Sequence, residues 1–174
     1  MNKVRFLAIF LVAFAIVLVL WRALDVTRWY TAGLLGVAGF IGPILHGWVL
    51  ETPAGRPVWL HGEASVQAAL QFDALAVGIV PLLALFVATP GLSLVRRSWL
   101  MGAGTLLCFG VDALIVALFP ILVFYTNPLT DVVGTFLGLL GFVGLPFIVW
   151  GTLTFRDLRR FLPALDGHAR PASS

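Results

Sequence analysis

Charged residues are what this sequence most lacks. Lys, Arg, Asp and Glu make up 11% of its 174 residues, against 60% hydrophobic ones, whereas soluble domains carry about 25% charge. A water-soluble fold cannot cover that much apolar surface, so lipid is the solvent for most of the chain. The mean hydropathy of +1.04 agrees.

Cysteine is nearly absent. The one thiol, Cys108, lies inside an apolar run, which excludes an internal disulfide and any CxxC metal or redox motif. Its plain reading is a small buried hydrophobe. G-x-S-x-G, H-E-x-x-H and a Gly-rich phosphate loop ahead of a soluble helix are also missing. The three histidines, His46, His61 and His168, match no standard ligand spacing, so neither a metal nor a cofactor is expected. His46 and His61 flank a polar segment that also holds Glu51 and Glu63. His61 and Glu63 are therefore the surface candidates for acid/base work, with ordinary interfacial roles as the simpler reading. The net charge of +3 comes from short basic clusters between apolar runs, not from one face. These clusters read as orientation signals, and no nucleic-acid partner is expected.

What is present is a series of long hydrophobic runs. Phe6 to Trp21 follows a basic start and lacks a small-x-small cleavage site, so it is an uncleaved first span and not a signal peptide. Trp29 to Leu50 is long enough to cross but carries Gly33, Gly36, Gly39, Gly42 and Gly47, with Pro43 and His46 near its end. Glycine every third residue weakens a helix and gives a smooth strip for close approach of another backbone. A short packed helix, a re-entrant loop and a full span are all open for this segment. Residues 51–67 are polar, with a turn signal at Pro53-Ala54-Gly55 and loose alternation from Val58 to Val66, which predicts a strand or hairpin at the membrane surface. Three further spans follow: Ala68–Ala88, Ser98–Tyr125 and Val132–Phe155. Gly134 and Gly138 form a GxxxG in the last, a helix-packing signal. The expected fold is all-α and integral to the membrane. It has four transmembrane helices, a glycine-rich re-entrant or additional membrane helix, and a short surface hairpin. Residues 1–163 form one membrane domain and residues 164–174 a mobile tail.

The positive-inside rule tests the layout. If residues 29–50 do not cross, Lys3, Arg5, Arg96, Arg97, Arg156, Arg159, Arg160 and Arg170 lie in the cytoplasm, with Arg22, Arg28 and Arg56 outside. If they do cross, Lys3 and Arg5 exchange sides with Arg22 and Arg28. The balance is eight against three either way. A basic N-terminus ahead of the first span favours the four-span layout, with both termini cytoplasmic.

Two carboxylates fall within spans, Asp73 and Asp112. A charge at mid-bilayer costs several kcal/mol, about 2.5–3.5 on insertion scales. Each is therefore a candidate proton relay, ion ligand or interhelical hydrogen-bonding group, and the last of these is the structural reading. Asp73-Ala-Leu-Ala-Val-Gly-Ile-Val-Pro81 and Asp112-Ala-Leu-Ile-Val-Ala-Leu-Phe-Pro120 share the Asp-to-Pro interval, a pattern consistent with an inverted repeat or with chance in so apolar a chain.

The order of elements (basic anchor, glycine-rich segment, surface hairpin, span, basic turn, long span, tight turn, last span) resembles the exosortase and archaeosortase family of membrane cysteine transpeptidases. That family's catalytic Cys, Arg and His would fall near Gln71-Phe72-Asp73, Asp112–Ile115 and Thr130-Asp131. None of the three identities is present. The stretch Phe72 to Gly91 is similar to exosortase H-associated membrane proteins. The resemblance implies a non-catalytic protein of the bacterial inner membrane that contacts the lipid bilayer and another membrane protein, with an exosortase as the candidate partner. A small proton-coupled carrier using Asp73 and Asp112, and a divergent transpeptidase, are the alternatives.

Overall fold

The computed structural model describes residues 3–53, 56–67, 72–124, 132 and 144–161. Its elements are α1 (Lys3–Ala23), α2 (Val26–His46), β1 (Val49–Glu51), β2 (Val58–His61), β3 (Ala64–Gln67), α3 (Phe72–Ala88), α4 (Leu94–Phe124) and α5 (Leu145–Phe161). Among the described residues three helices are long and apolar enough to cross a membrane: α1 from Val4, α2, and α4. The apolar parts of α3 and α5, Leu75–Ala88 and Leu145–Phe155, are shorter.

The outer surface of α1 explains where its sequence belongs. Leu7, Leu11, Val12, Ile16, Val19 and Leu20 are exposed, while Ala13 and Trp21 are buried. A helix whose outside is more apolar than a soluble surface tolerates faces lipid. The center of the molecule is α3, which packs against α1, α2, α4 and α5 and buries Leu75, Ala76, Ile79, Val80, Leu82 and Phe86.

The glycine-rich segment is one uninterrupted helix and not a re-entrant loop. Leu24 and Asp25 join it to α1, with Asp25 at φ 50°, a left-handed conformation that Asp tolerates better than most residues. Tyr30, Leu34, Ala38 and Gly42 are its buried residues. They recur every fourth position, so tertiary packing along one stripe outweighs the propensity cost of the glycines. Gly47 ends the helix at φ 76°, its N–H donating to the Pro43 carbonyl, as a C-terminal glycine does.

The expected hairpin is a three-stranded antiparallel sheet in the order β1-β2-β3. The β2–β3 register pairs Trp59 with Val66 and His61 with Ala64. The link is Gly62-Glu63, with Gly62 at φ 58°, the position where a two-residue hairpin favours glycine. The extra strand, β1, pairs Val49–Glu51 with Val58–Leu60. It runs back along α2: Leu50 lies 3.7 Å from where a Cβ on Gly39 would stand, and the Trp48 carbonyl 3.2 Å from that of Gly42.

Helices α3 and α4 pack antiparallel. Gly104 of α4 accepts the Phe86 ring, to which a Cβ would come within 2.8 Å, and Arg97 Nη2 donates to the Thr89 carbonyl at 3.1 Å. Thr89 also receives the Trp150 indole N–H at 2.9 Å, which ties α5 to the same end. The two Asp-to-Pro stretches thus lie on neighbouring helices of opposite direction.

Candidate functional site

The buried polar contact that joins distant parts of the chain lies between α2 and α4. The Tyr30 hydroxyl donates to Asp112 Oδ2 at 2.7 Å, a normal O–H···O length. Tyr30 is 8% exposed and Asp112 3%. Asp112 sits 18 residues from the start of α4 and 12 from its end, so it is about 18 Å from the nearer terminus. The other carboxylate oxygen, Oδ1, is buried without a hydrogen-bond partner among the described residues.

Aromatic rings hold the phenol in place. The Tyr30 ring meets Phe109 edge-on, with centroids 5.3 Å apart at 85°, and tilts against Trp21 at 6.4 Å. Trp21 Nε1 donates to Thr27 Oγ1 at 3.0 Å. Three helices, α1, α2 and α4, therefore fix one hydroxyl on one carboxylate. Cys108 lies one turn before Asp112 and is 2% exposed, inside the apolar core.

A second cluster fastens the sheet to the helices. Trp59 is fully buried and its ring occupies the space over Gly42, where a Cβ would come within 2.4 Å of it. His46 Nδ1 accepts the Trp48 N–H at 3.2 Å. That leaves Nε2 as the protonated nitrogen, donating to the Ala117 carbonyl at 2.8 Å. This acceptor lies next to the ladder position that Pro120 cannot fill, because proline has no N–H to give the Val116 carbonyl. The His46 ring also meets Trp59 edge-on.

His61 is exposed and stacks on Trp48 at 5.3 Å and 29°, and Glu63 is exposed in the adjoining turn. Asp73 is the second residue of α3, and its side chain lies outside the described residues, as do Gly134 and Gly138. Along the glycine strip, Gly33 faces the Phe109 ring and Gly39 faces Leu50, whereas Gly36 has no described residue within 4 Å of where a Cβ would stand. Much of the strip is thus filled by this chain's own side chains. Asp112–Ile115, where the resemblance puts an arginine, is the middle of α4. Among the described residues no three His, Cys, Asp or Glu side chains group as metal ligands.

Sequence reasoning missed Tyr30, Trp59 and Gly42 as a set. Trp29-Tyr30 reads as an interfacial aromatic pair, yet a mid-span carboxylate needs a donor, and Tyr30 is one of just two tyrosines in the chain. Comparison of the chain with known family models, with curated proteins and with solved structures gave no match.

Proposed function

We propose that this chain is a non-catalytic, multi-pass protein of the bacterial inner membrane that assists an exosortase-type sorting or envelope-assembly system. The observation that carries this reading is the commitment of Tyr30, His46 and Cys108, buried or half-buried among the described residues, to internal contacts. The Tyr30 hydroxyl is held by Asp112, both His46 nitrogens are engaged, and Cys108 is sealed in the core. Such a molecule presents shape to a partner. Small residues suit a partner helix: Gly36 on α2, with Gly102 and Gly110 on α4, each with no described residue within 4 Å of where a Cβ would go.

The test is genetic. Deleting the gene should reduce processing of proteins that carry C-terminal sorting signals, and the wild-type copy should restore it. A copy with Gly36→Leu, Gly102→Leu and Gly110→Leu should reach the membrane yet fail to restore processing. Normal processing in the deletion strain would discard the proposal.

The reading includes a layout in which α2 crosses. Arg22, Arg28, Arg96 and Arg97 then share the cytoplasmic side with Arg156, Arg159, Arg160 and Arg170. Lys3, Arg5 and the Gly62-Glu63 end of the sheet lie outside, eight basic residues against two, while β1 runs back along α2. In a Cys108→Ala background, Lys3→Cys and Glu63→Cys should react with an impermeant maleimide on intact spheroplasts. Ser93→Cys should react after permeabilisation. Protection of Lys3→Cys alongside labelling of Glu63→Cys would restore the four-span layout.

Asp112 Oδ1, without a partner among the described residues, favours one second reading, a proton-coupled carrier in which this carboxyl takes up and releases a proton.

A further inference from the structure

A groove of about 550 Å³ opens between α2, near its arginine end, and Thr52 just past β1, within the ~300–1,000 Å³ typical of ligand sites. Its lining changes character along the helix. Asp25 and Arg28 come first, Thr27 and Thr31 stand beside them, Ala32 and Leu35 form an apolar strip beyond, and Thr52, just past β1, completes the lining. From Asp25 to Leu35 the helix advances about 15 Å. One charge of each sign among hydroxyls, followed by an apolar strip, matches the charged headgroup and the start of the acyl chain in a phospholipid with an amine headgroup.

The charges are available to a ligand. The hydrogen bond between the two residues is through the backbone, the Arg28 N–H donating to the Asp25 carbonyl at 3.1 Å. Both side chains are exposed, and among the described residues neither has an ion-pair partner. Thr27 Oγ1 accepts the Trp21 indole N–H, which leaves its own hydrogen free to donate. Trp29, 75% exposed beside Arg28, has the placement of an aromatic residue at headgroup level.

We propose that this groove binds one phosphatidylethanolamine molecule. The Arg28 guanidinium pairs with the phosphate in the two-point manner that arginine permits, and the threonine hydroxyls add donors. The Asp25 carboxylate accepts hydrogen bonds from the primary ammonium, and an acyl chain lies along Ala32 and Leu35. Phosphatidylglycerol offers no cation to Asp25, and the methylated ammonium of phosphatidylcholine has no hydrogen to donate. The site depends on membrane embedding alone, so its failure leaves the sorting role untouched.

The test uses the full chain reconstituted in vesicles of equal parts phosphatidylethanolamine, phosphatidylglycerol and phosphatidylcholine, then extracted in mild detergent. Lipid retained on the protein is read by native mass spectrometry. Phosphatidylethanolamine should be enriched roughly tenfold over phosphatidylcholine, the factor that one good charge-assisted contact supplies. Arg28→Gln should abolish retention of all three lipids. Asp25→Asn keeps the backbone, because Asn also tolerates a φ of 50°, and should erase the preference for phosphatidylethanolamine over phosphatidylglycerol. If Arg28→Gln does not accumulate, Thr31→Val carries the test, with reduced retention expected. Equal retention of the three lipids by the wild type, or unchanged retention in the Arg28 or Thr31 variant, would overturn the proposal.

Discussion

Gly42→Ala is expected to destabilise the protein by about 1–3 kcal/mol, the usual cost of forcing extra atoms into a packed core. The same exchange at Gly36 should stabilise it by up to about 1 kcal/mol. Both sites lie inside α2 and both substitutions improve helix propensity, so the difference in sign isolates tertiary contact. At Gly42 the new methyl would stand 2.4 and 2.8 Å from two ring carbons of Trp59 and 3.2 Å from the Trp48 carbonyl. Trp59 has no exposed surface and thus no space into which to swing. At Gly36 no described residue lies within 4 Å. The measurement is thermal unfolding in detergent micelles, followed by tryptophan fluorescence. Trp59→Ala alone leaves a cavity and should cost about 3–5 kcal/mol, but in that background Gly42→Ala should become nearly neutral. That non-additivity is the signature of direct contact. Equal effects at Gly36 and Gly42 would mean that the sheet is not seated on α2.

The contrast shows what this sequence reveals and what it conceals. Apolar runs and the basic turns between them carry the helices in plain view, because burial in lipid demands a composition no loop needs. The inward positions of the sheet, Trp59 and Val66, also fit the alternation of Val58–Val66. Strand β1 does not announce itself, since three residues at the end of an apolar run are too few to show a period of two. The glycine strip shows the limit of spacing arguments. Gly33, Gly36, Gly39 and Gly42 are equivalent by spacing, yet Phe109, open space, Leu50 and Trp59 are what they meet. That difference belongs to residues between 11 and 76 positions away in the chain. Likewise, Asp112 is legible as a buried carboxylate, but its donor is 82 residues distant on a helix whose glycines argued against its forming. Local propensity was outweighed there by the four-residue stripe of α2.

The contact between Tyr30 and Asp112 separates the two functional readings through a pair of substitutions. Tyr30→Phe leaves both Asp112 oxygens buried and unpartnered, and should cost about 1–3 kcal/mol. Asp112→Leu leaves the phenol without an acceptor and should cost a similar amount. The double variant should recover most of the loss, because removing both partners leaves no orphaned group, as replacement of buried polar pairs by apolar ones often does. Hydrogen bonds between membrane helices are worth about 0.6 kcal/mol on average in double-mutant cycles, so the penalty of the single variants measures the orphaned group more than the bond. Asp112→Asn then divides the readings. An amide keeps an oxygen for the Tyr30 hydroxyl, so a structural tie survives, and sorting-signal processing should stay near wild type. A proton carrier cannot use an amide, which neither gains nor loses a proton near neutral pH, and its transport should fall to background. Wild-type processing with Asp112→Asn, together with a near-neutral Tyr30→Phe/Asp112→Leu double variant, would assign the pair to holding α2 on α4. Loss of function in a stable Asp112→Asn protein would move the proton to the center of the mechanism and would leave the orphaned Oδ1 as the atom that binds it.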